Sequence, residues 1–193
     1  FLSNVMSVES RQSQDDARLR QYRALLEVAE SIAAHRDLSS LLHDLARRLQ
    51  LVVKCDGINV VLHDPERNVM RIHLLELPTL EGAQFATELP MEEAPAGLVW
   101  QTQQPMLMTD FSAYESRFPR AISDLRRSGV KTVYILPLTS AGRRLGALGF
   151  GSLQEQAWGE SDQEFLQQVA NLVAVAVDNA RNIEQALSAQ RRY

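Results

Sequence analysis

The sequence predicts an α+β fold, in which one antiparallel sheet of about six strands lies between helices. The main evidence is residues 130–153, two apolar runs separated by a short glycine-containing turn, a pattern typical of a β-hairpin. Few polar residues interrupt these runs, so we expect both faces of the hairpin to be buried. Long helical patterns at the two ends of the chain supply layers that would cover such a sheet.

The first part of the chain predicts two helices. Residues 11–36 contain no Gly or Pro, and apolar residues recur there at spacings of three and four, which indicates a long amphipathic helix. Its apolar stripe comprises Leu19, Tyr22, Leu26, Ala29 and Ala33. Asp37 is the expected N-cap of a second helix over residues 38–53. We expect residues 1–10 to be a disordered or extraneous terminus.

The middle of the chain predicts short strands and helices. Residues 58–63 and 69–77 read as strands around a turn-rich connection, and polar residues alternate with apolar ones in the second. This alternation places the second strand nearer the edge of the sheet. The remaining predictions are strands over residues 84–89 and 106–109 and helices over residues 96–103 and 119–125, with Gly129 as a helix stop.

The last helix is predicted over residues 162–189. Ser161 is its expected N-cap, and Glu164 three residues later would complete a capping box. We therefore expect a single domain over residues 11–190, including both terminal helices. Residues 191–193 would then connect it to an output domain outside this chain.

Three glycines interrupt the second strand of the hairpin, at Gly146, Gly149 and Gly151. Glycine weakens a strand unless another backbone or a ligand must approach closely. We therefore expect a helix to be pressed onto them. The strands near Ile58 and Gly149 are expected to be neighbours at the centre of the sheet.

Composition indicates an ordinary globular domain of 193 residues, 45% hydrophobic and 23% charged. The formal net charge of -4 gives no basic signature of nucleic-acid binding. The single cysteine, Cys55, excludes an intrachain disulfide and is compatible with a reducing cytoplasm. We find neither a signal-peptide pattern nor an apolar run long enough to span a membrane.

Several stretches within roughly residues 22–189 resemble parts of a known family, and they occur in the same order as in that family. The stretches are DLSSLLHDLARRLQLVVKCDGINVVLHD, APAGLVWQTQQPMLMTD, LPLTSAGRRLGALGFGS and FLQQVANLVAVAVDNA. Together they resemble a GAF domain, in particular the sensor domain of bacterial transcription regulators of the formate-hydrogenlyase-activator type. The resemblance implies a GAF-like α+β fold, a role in sensing small molecules, and dimerisation through the terminal helices.

The residues give little support to catalysis or metal binding. No pair among the four histidines has a metal-ligand spacing on a helix, although His63 and His73 could face one another across the first hairpin. We interpret these two as exposed strand histidines and Cys55 as a buried, inert thiol. GALGFG departs from the dinucleotide-binding fingerprint and lies within a strand, which favours close packing. The signature of cyclic-nucleotide-binding GAF domains is absent.

The best candidate for a ligand site is the irregular segment after residue 110 together with nearby aromatic and apolar residues. The candidate residues are Trp100, Phe111, Tyr114, Phe118, Ile122, Tyr134 and Leu136. A mostly apolar pocket with a few polar tips suits a small organic ligand. A rim formed by Arg117, Arg120, Arg126, Arg127 and Lys131 could attract an anion. The alternatives are a filled core for the aromatic residues and a solvated face for the basic ones.

The hypothesis that these observations favour is a non-catalytic sensory module of a bacterial transcription regulator. A small effector would act through a homodimeric bundle of the terminal helices, since each helix carries more apolar surface than one sheet face needs. The alternatives are a ligand-free dimerisation module and, third, a redox enzyme. We expect a cytoplasmic location, no direct contact of this domain with nucleic acid or membrane, and no metal site; no cofactor is indicated.

Overall fold

The computed structural model describes residues 2–34, 37–77 and 85–192. Within these residues the chain forms five α-helices and a six-stranded sheet. In chain order the elements are α1 (Leu2–Ala34), α2 (Leu38–Val52), β1 (Gly57–Asp64), β2 (Val69–Glu76), β3 (Glu88–Pro90), α3 (Pro95–Thr102), β4 (Met106–Met108), α4 (Pro119–Ser128), β5 (Thr132–Ser140), β6 (Arg143–Ser152) and α5 (Glu160–Gln190). Single 3₁₀ turns precede α3 and α4. The predicted α+β class is confirmed.

The sheet has the strand order β3-β2-β1-β6-β5-β4, and every neighbouring pair is antiparallel. Strands β1 and β6 are therefore its two central strands. Ile58 lies opposite Phe150 and Asn59 opposite Gly149. The prediction that these two strands are central neighbours is confirmed.

The β5–β6 hairpin is buried on both faces, as the sequence predicted. It turns at Ala141 and Gly142, which have φ angles of 50° and 75° and match the left-handed backbone that a two-residue hairpin requires. Alternate residues of β5 enter two different cores: Tyr134 faces the terminal helices, and Val133 faces α3 and α4. The sheet thus separates a helix-bundle side from a second side, which contains the short helices.

Two of the three glycines of β6, Gly146 and Gly149, make room for β1. A Cβ atom at Gly146 would lie 2.0 Å from the carbonyl oxygen of Val61, and one at Gly149 would lie 2.3 Å from Oδ1 of Asn59. The expected close approach is present, but its nearest atoms belong to the neighbouring strand. Helix α3 packs against β6, but at Gly146 and Gly149 the close packing of β1 is what leaves no room for a side chain.

Helix boundaries agree with the sequence except at two N-termini. Helix α1 begins at Leu2 and includes residues 2–10, which contain no Gly or Pro; the assignment of this stretch as a disordered or extraneous terminus stays a prediction. Helix α5 begins at Glu160, after Gly159, whose N–H donates to the carboxylate of Asp162 at 3.3 Å. The predicted N-cap, Ser161, lies inside the first turn, because the helix already starts at Glu160 and the Asp162 carboxylate bonds to the N-cap residue Gly159.

The other predicted helix signals are confirmed. The carboxylate of Asp37 accepts a hydrogen bond from the N–H of Ser40 at 2.9 Å. Helix α4 ends at Gly129, which has a φ of 81°. Strand β3 is shorter than predicted, and the predicted start of that strand, Gln84, lies outside the described residues.

None of the helices within the described ranges is apolar over a length that would cross a membrane.

Candidate ligand-binding site

A cavity of about 130 Å³ lies between the sheet and helices α3 and α4. Its floor is formed by β1, β2, β5 and β6, and the beginning of α3 and one face of α4 close over it. Most of the surrounding side chains are aliphatic; Val61, Met70, Ile72, Ala96, Met108, Ala121, Leu125, Val133 and Ile135 are among them. A mostly apolar cavity with few polar groups is the usual form of a small-molecule site.

Two polar side chains are found among the described residues that line this cavity: Asn59 and Asp124. Asn59 lies on the central strand β1 and shares the cavity-facing side with Val61, two residues away. Its amide packs over Gly149 on β6, where the absence of a side chain leaves room for it. The amide has no hydrogen-bond partner among the described residues, so its donor and acceptor groups remain available.

Asp124 is the acidic group of the cavity wall, and it is 7% exposed. Its carboxylate pairs with the guanidinium of Arg127 one turn later on α4. It also accepts a hydrogen bond of 3.4 Å from the backbone N–H of Ala86. The carboxylate therefore ties α4 to the segment that leads into β3.

The seven predicted site residues do not form one cluster. Phe118 and Ile122 are buried in the core on the cavity side, and Phe111 and Tyr114 pack half-buried against it. Tyr134 and Leu136 belong to the opposite core, against the terminal helices. Trp100 lies at the end of α3. None of the seven is among the residues that line the cavity, and their role in binding stays a prediction.

Two polar groups of the predicted site residues are hydrogen-bonded within the protein. The indole N–H of Trp100 donates to the carbonyl oxygen of Arg144 at 2.9 Å, and its ring stacks near His63 with a centroid distance of 4.3 Å. The hydroxyl of Tyr134 accepts from Nε2 of Gln167 on α5 at 3.2 Å. Both groups therefore fix packing between elements.

The predicted basic rim is exposed and partly paired. Arg126 bonds to Glu115, Arg127 bonds to Asp124, and the guanidinium of Arg117 lies 5.4 Å from the centre of the Phe118 ring. This pairing reduces the positive field that the sequence suggested. An anionic effector stays a prediction.

Residues 37–177 match the family model described as GAF domain. The chain belongs to the GAF domain family. The formate hydrogenlyase transcriptional activator FhlA of Escherichia coli strain K12 is 24% identical to this GAF domain over 165 residues. The alignment covers 82% of this chain and 23% of FhlA, so the chain spans less than a quarter of that relative.

Solved structures share the architecture of this GAF domain. The free methionine-R-sulfoxide reductase of Neisseria meningitidis, solved with its substrate, has a TM-score of 0.70 and 18% identity over 86% of this chain and 93% of the reductase. The GAF domain of an Acinetobacter phosphoenolpyruvate-protein phosphotransferase has a TM-score of 0.69 and 18% identity over 86% of this chain and 97% of that domain. At such identities these likenesses show the fold alone.

The single thiol of this GAF domain lies in an environment that suppresses its reactivity. Burial, together with a smaller contribution from the neighbouring carboxylate of Asp56, raises the pKa of Cys55 to about 12. The thiolate, which is the nucleophilic form, is therefore disfavoured at neutral pH. A redox role through Cys55 gains no support from this environment.

The histidines of the first hairpin do not pair with each other. His63 on β1 lies opposite Met70 on β2, whereas His73 falls at the register irregularity next to Val60 and Val61 and has no directly opposed residue on β1. The expectation that His63 faces His73 is therefore wrong. Among the residues that the structure describes, no group of three or more His, Cys, Asp and Glu is arranged to hold a metal ion.

The sequence reasoning missed the residues that border the cavity. The available signal was Asn59 itself, one polar residue inside the apolar run of a central strand. In a strand buried on both faces, such a residue needs either a partner or a ligand. Asp124 gave a weaker signal, since an acidic residue on a short surface helix is ordinarily exposed.

Proposed function

We propose that this GAF domain is a non-catalytic sensory module of a bacterial transcriptional regulator, controlled by a small molecule that binds in the cavity. The observation that carries the proposal is a mostly apolar cavity on one face of a sheet whose other face is covered by α2 and α5, with α1 packed against these two helices. Its similarity to FhlA, a transcriptional activator, supports the regulatory role. Such a regulator would act in the cytoplasm and contact DNA through an output domain outside this chain.

Strand β5 offers a physical link between the cavity and the last helix. Val133 and Ile135 line the cavity, whereas the alternating residues Tyr134 and Leu136 pack towards α5. Gln167 of α5 is hydrogen-bonded to the hydroxyl of Tyr134. A ligand that moves β5 would change the position of α5, and coupling requires such a difference in contacts between two states.

The terminal helices offer a surface for a second copy of the chain. Leu19, Tyr22 and Leu26 of α1 are 59%, 70% and 58% exposed, although they belong to the apolar stripe of that helix. Further along the chain, Val175, Ile183 and Leu187 of α5 are between 44% and 51% exposed. A homodimeric helix bundle would bury these side chains and carry the signal between protomers.

The second candidate, a ligand-free dimerisation module, is favoured by the same exposed stripes, which need no effector. Thermal denaturation with a set of small metabolites separates the two, because a ligand that binds the native state raises the melting temperature. Val133→Phe places a larger side chain in the cavity and should abolish the shift. Val8→Phe makes the same change on an exposed position of α1 and should retain it. If no compound raises the melting temperature, sensing fails and dimerisation alone remains.

Light scattering at micromolar concentration tests the dimer. Ile183→Glu and Leu187→Glu place charges on the proposed interface and should shift the protein to monomers. Leu51→Glu is the matched control, since Leu51 is 87% exposed on α2. A wild-type monomer at these concentrations would contradict the bundle.

A further inference from the structure

The cavity between the sheet and α4 restricts the charge of any occupant. We infer that it takes a small uncharged molecule with one hydrogen-bonding group, and that Asn59 orients this group. The inference rests on the proposed sensory function, because it names the class of effector that the same cavity would bind. Three properties of the cavity wall carry it: the absence of a cation, the state of Asp124, and the free amide of Asn59.

The first property is that no described residue lining the cavity carries a basic side chain. An anion that entered this cavity would lose its hydration without gaining a cationic partner. It would also approach the carboxylate of Asp124, which adds repulsion.

The second property is that Asp124 already has a cation. Its carboxylate pairs with Arg127 on the same helix and accepts the N–H of Ala86. A cationic ligand would have to displace a guanidinium held one helical turn away, and it would lose its own hydration. The wall therefore disfavours both signs of charge.

The third property is the amide of Asn59, which is half-buried and has no hydrogen-bond partner among the described residues. An amide presents both a donor and an acceptor, so it can pair with an uncharged amide, alcohol or carbonyl group. Gly149 leaves room for this amide, since a Cβ atom there would lie 2.3 Å from Oδ1 of Asn59. Asn59 thus places one polar contact at the floor of an otherwise apolar space.

The volume sets the size of the ligand. An apolar cavity of about 150 Å³ can hold a benzene molecule. The cavity of about 130 Å³ therefore suits a molecule of similar size, of roughly six non-hydrogen atoms. Larger effectors would require the walls to move.

Three molecules of matched shape test the inference: butyramide, butyrate and butylamine, which are neutral, anionic and cationic at neutral pH. Each is titrated into the wild-type protein, and backbone and Asn59 side-chain amide shifts are followed by NMR. We expect butyramide to bind roughly tenfold or more tightly than either ion, and to shift the Asn59 NH₂ resonances. Because wild type is used, this comparison does not depend on the folding of a variant.

Asn59→Leu keeps the branched shape of the side chain and removes the hydrogen-bonding group, so it should weaken butyramide binding by roughly tenfold. Asn171→Leu makes the same change on an exposed position of α5 and should leave binding unchanged.

Equal or tighter binding of butyrate or butylamine at the cavity would overturn the inference about charge, but it would leave the proposed sensory function intact. Undiminished butyramide binding by Asn59→Leu would overturn the role of Asn59. If none of the three perturbs the residues that line the cavity, the inference fails; a set of larger metabolites then decides whether the sensory function fails as well.

Discussion

Nη2 of Arg143, at the start of β6, lies 2.7 Å from Oδ2 of Asp178 in the second half of α5. Asp178 is 6% exposed, whereas the Arg143 side chain reaches it from solvent. The pair ties the hairpin turn to the helix that leads out of the domain. It is a charged contact between the central hairpin and α5 that lies outside the packed apolar core.

Removing Arg143 should destabilise the fold because it leaves a buried carboxylate without its cation. We expect Arg143→Met to lower the free energy of unfolding by about 1–3 kcal/mol, measured by urea denaturation. Combining it with Asp178→Leu removes both charges and should recover much of the loss. A double variant that is simply the sum of the two single losses would show that the pair makes no specific contribution.

The two central glycines should respond differently to alanine. At Gly146 the new Cβ atom would meet backbone atoms of Val61 and Leu62, so we expect Gly146→Ala to cost about 3 kcal/mol or more. At Gly149 it would meet only the side chain of Asn59, and the expected cost is about 1–2 kcal/mol.

A double variant checks this difference. Asn59→Ala should relieve the clash, so that Gly149→Ala costs less in that background than in wild type, as measured by thermal or urea unfolding. Additive effects would mean that the Asn59 amide does not occupy the space above Gly149.

The sequence was informative about the sheet and uninformative about the cavity, for physical reasons. Hydrophobic runs and turn residues are local, so residues 130–153, the Asp37 cap and the Gly129 stop could be recognised from neighbouring residues alone. The cavity depends on strand register between distant segments, as in the pairing of Asn59 with Gly149. A shift of one residue exchanges the two faces of a strand, so the local pattern around Tyr134 does not fix which face of β5 borders the cavity.

The stability of the domain should fall as the solution becomes acidic, partly because of His73. Burial lowers the pKa of His73 below its usual 6.5, and the positive charges of Arg181 and Arg71 lower it further. The unfolded chain therefore binds a proton at a higher pH than the folded protein does. The free energy of unfolding therefore decreases as the pH falls below about 6.5. The decrease ends once the pH is below the lower pKa that His73 has in the folded protein.

His73→Gln removes this proton linkage. We expect its free energy of unfolding to decline less between roughly pH 7 and 5 than that of wild type, measured by urea titrations at each pH. A variant with the same or a steeper decline would show that His73 does not contribute to the acid sensitivity.

Cys55 should react slowly with thiol reagents in the folded protein. A rise of its pKa from 9.0 to about 12 lowers the thiolate fraction at pH 8 roughly thousandfold, and partial burial slows access further. Iodoacetamide labelling followed by mass spectrometry should therefore be fast in denaturant and slow without it.

Cys55→Ser should leave ligand-induced thermal shifts unchanged, since the thiol does not line the cavity. Rapid native labelling together with a thiol-dependent reductase activity would instead favour the redox alternative and contradict the non-catalytic role.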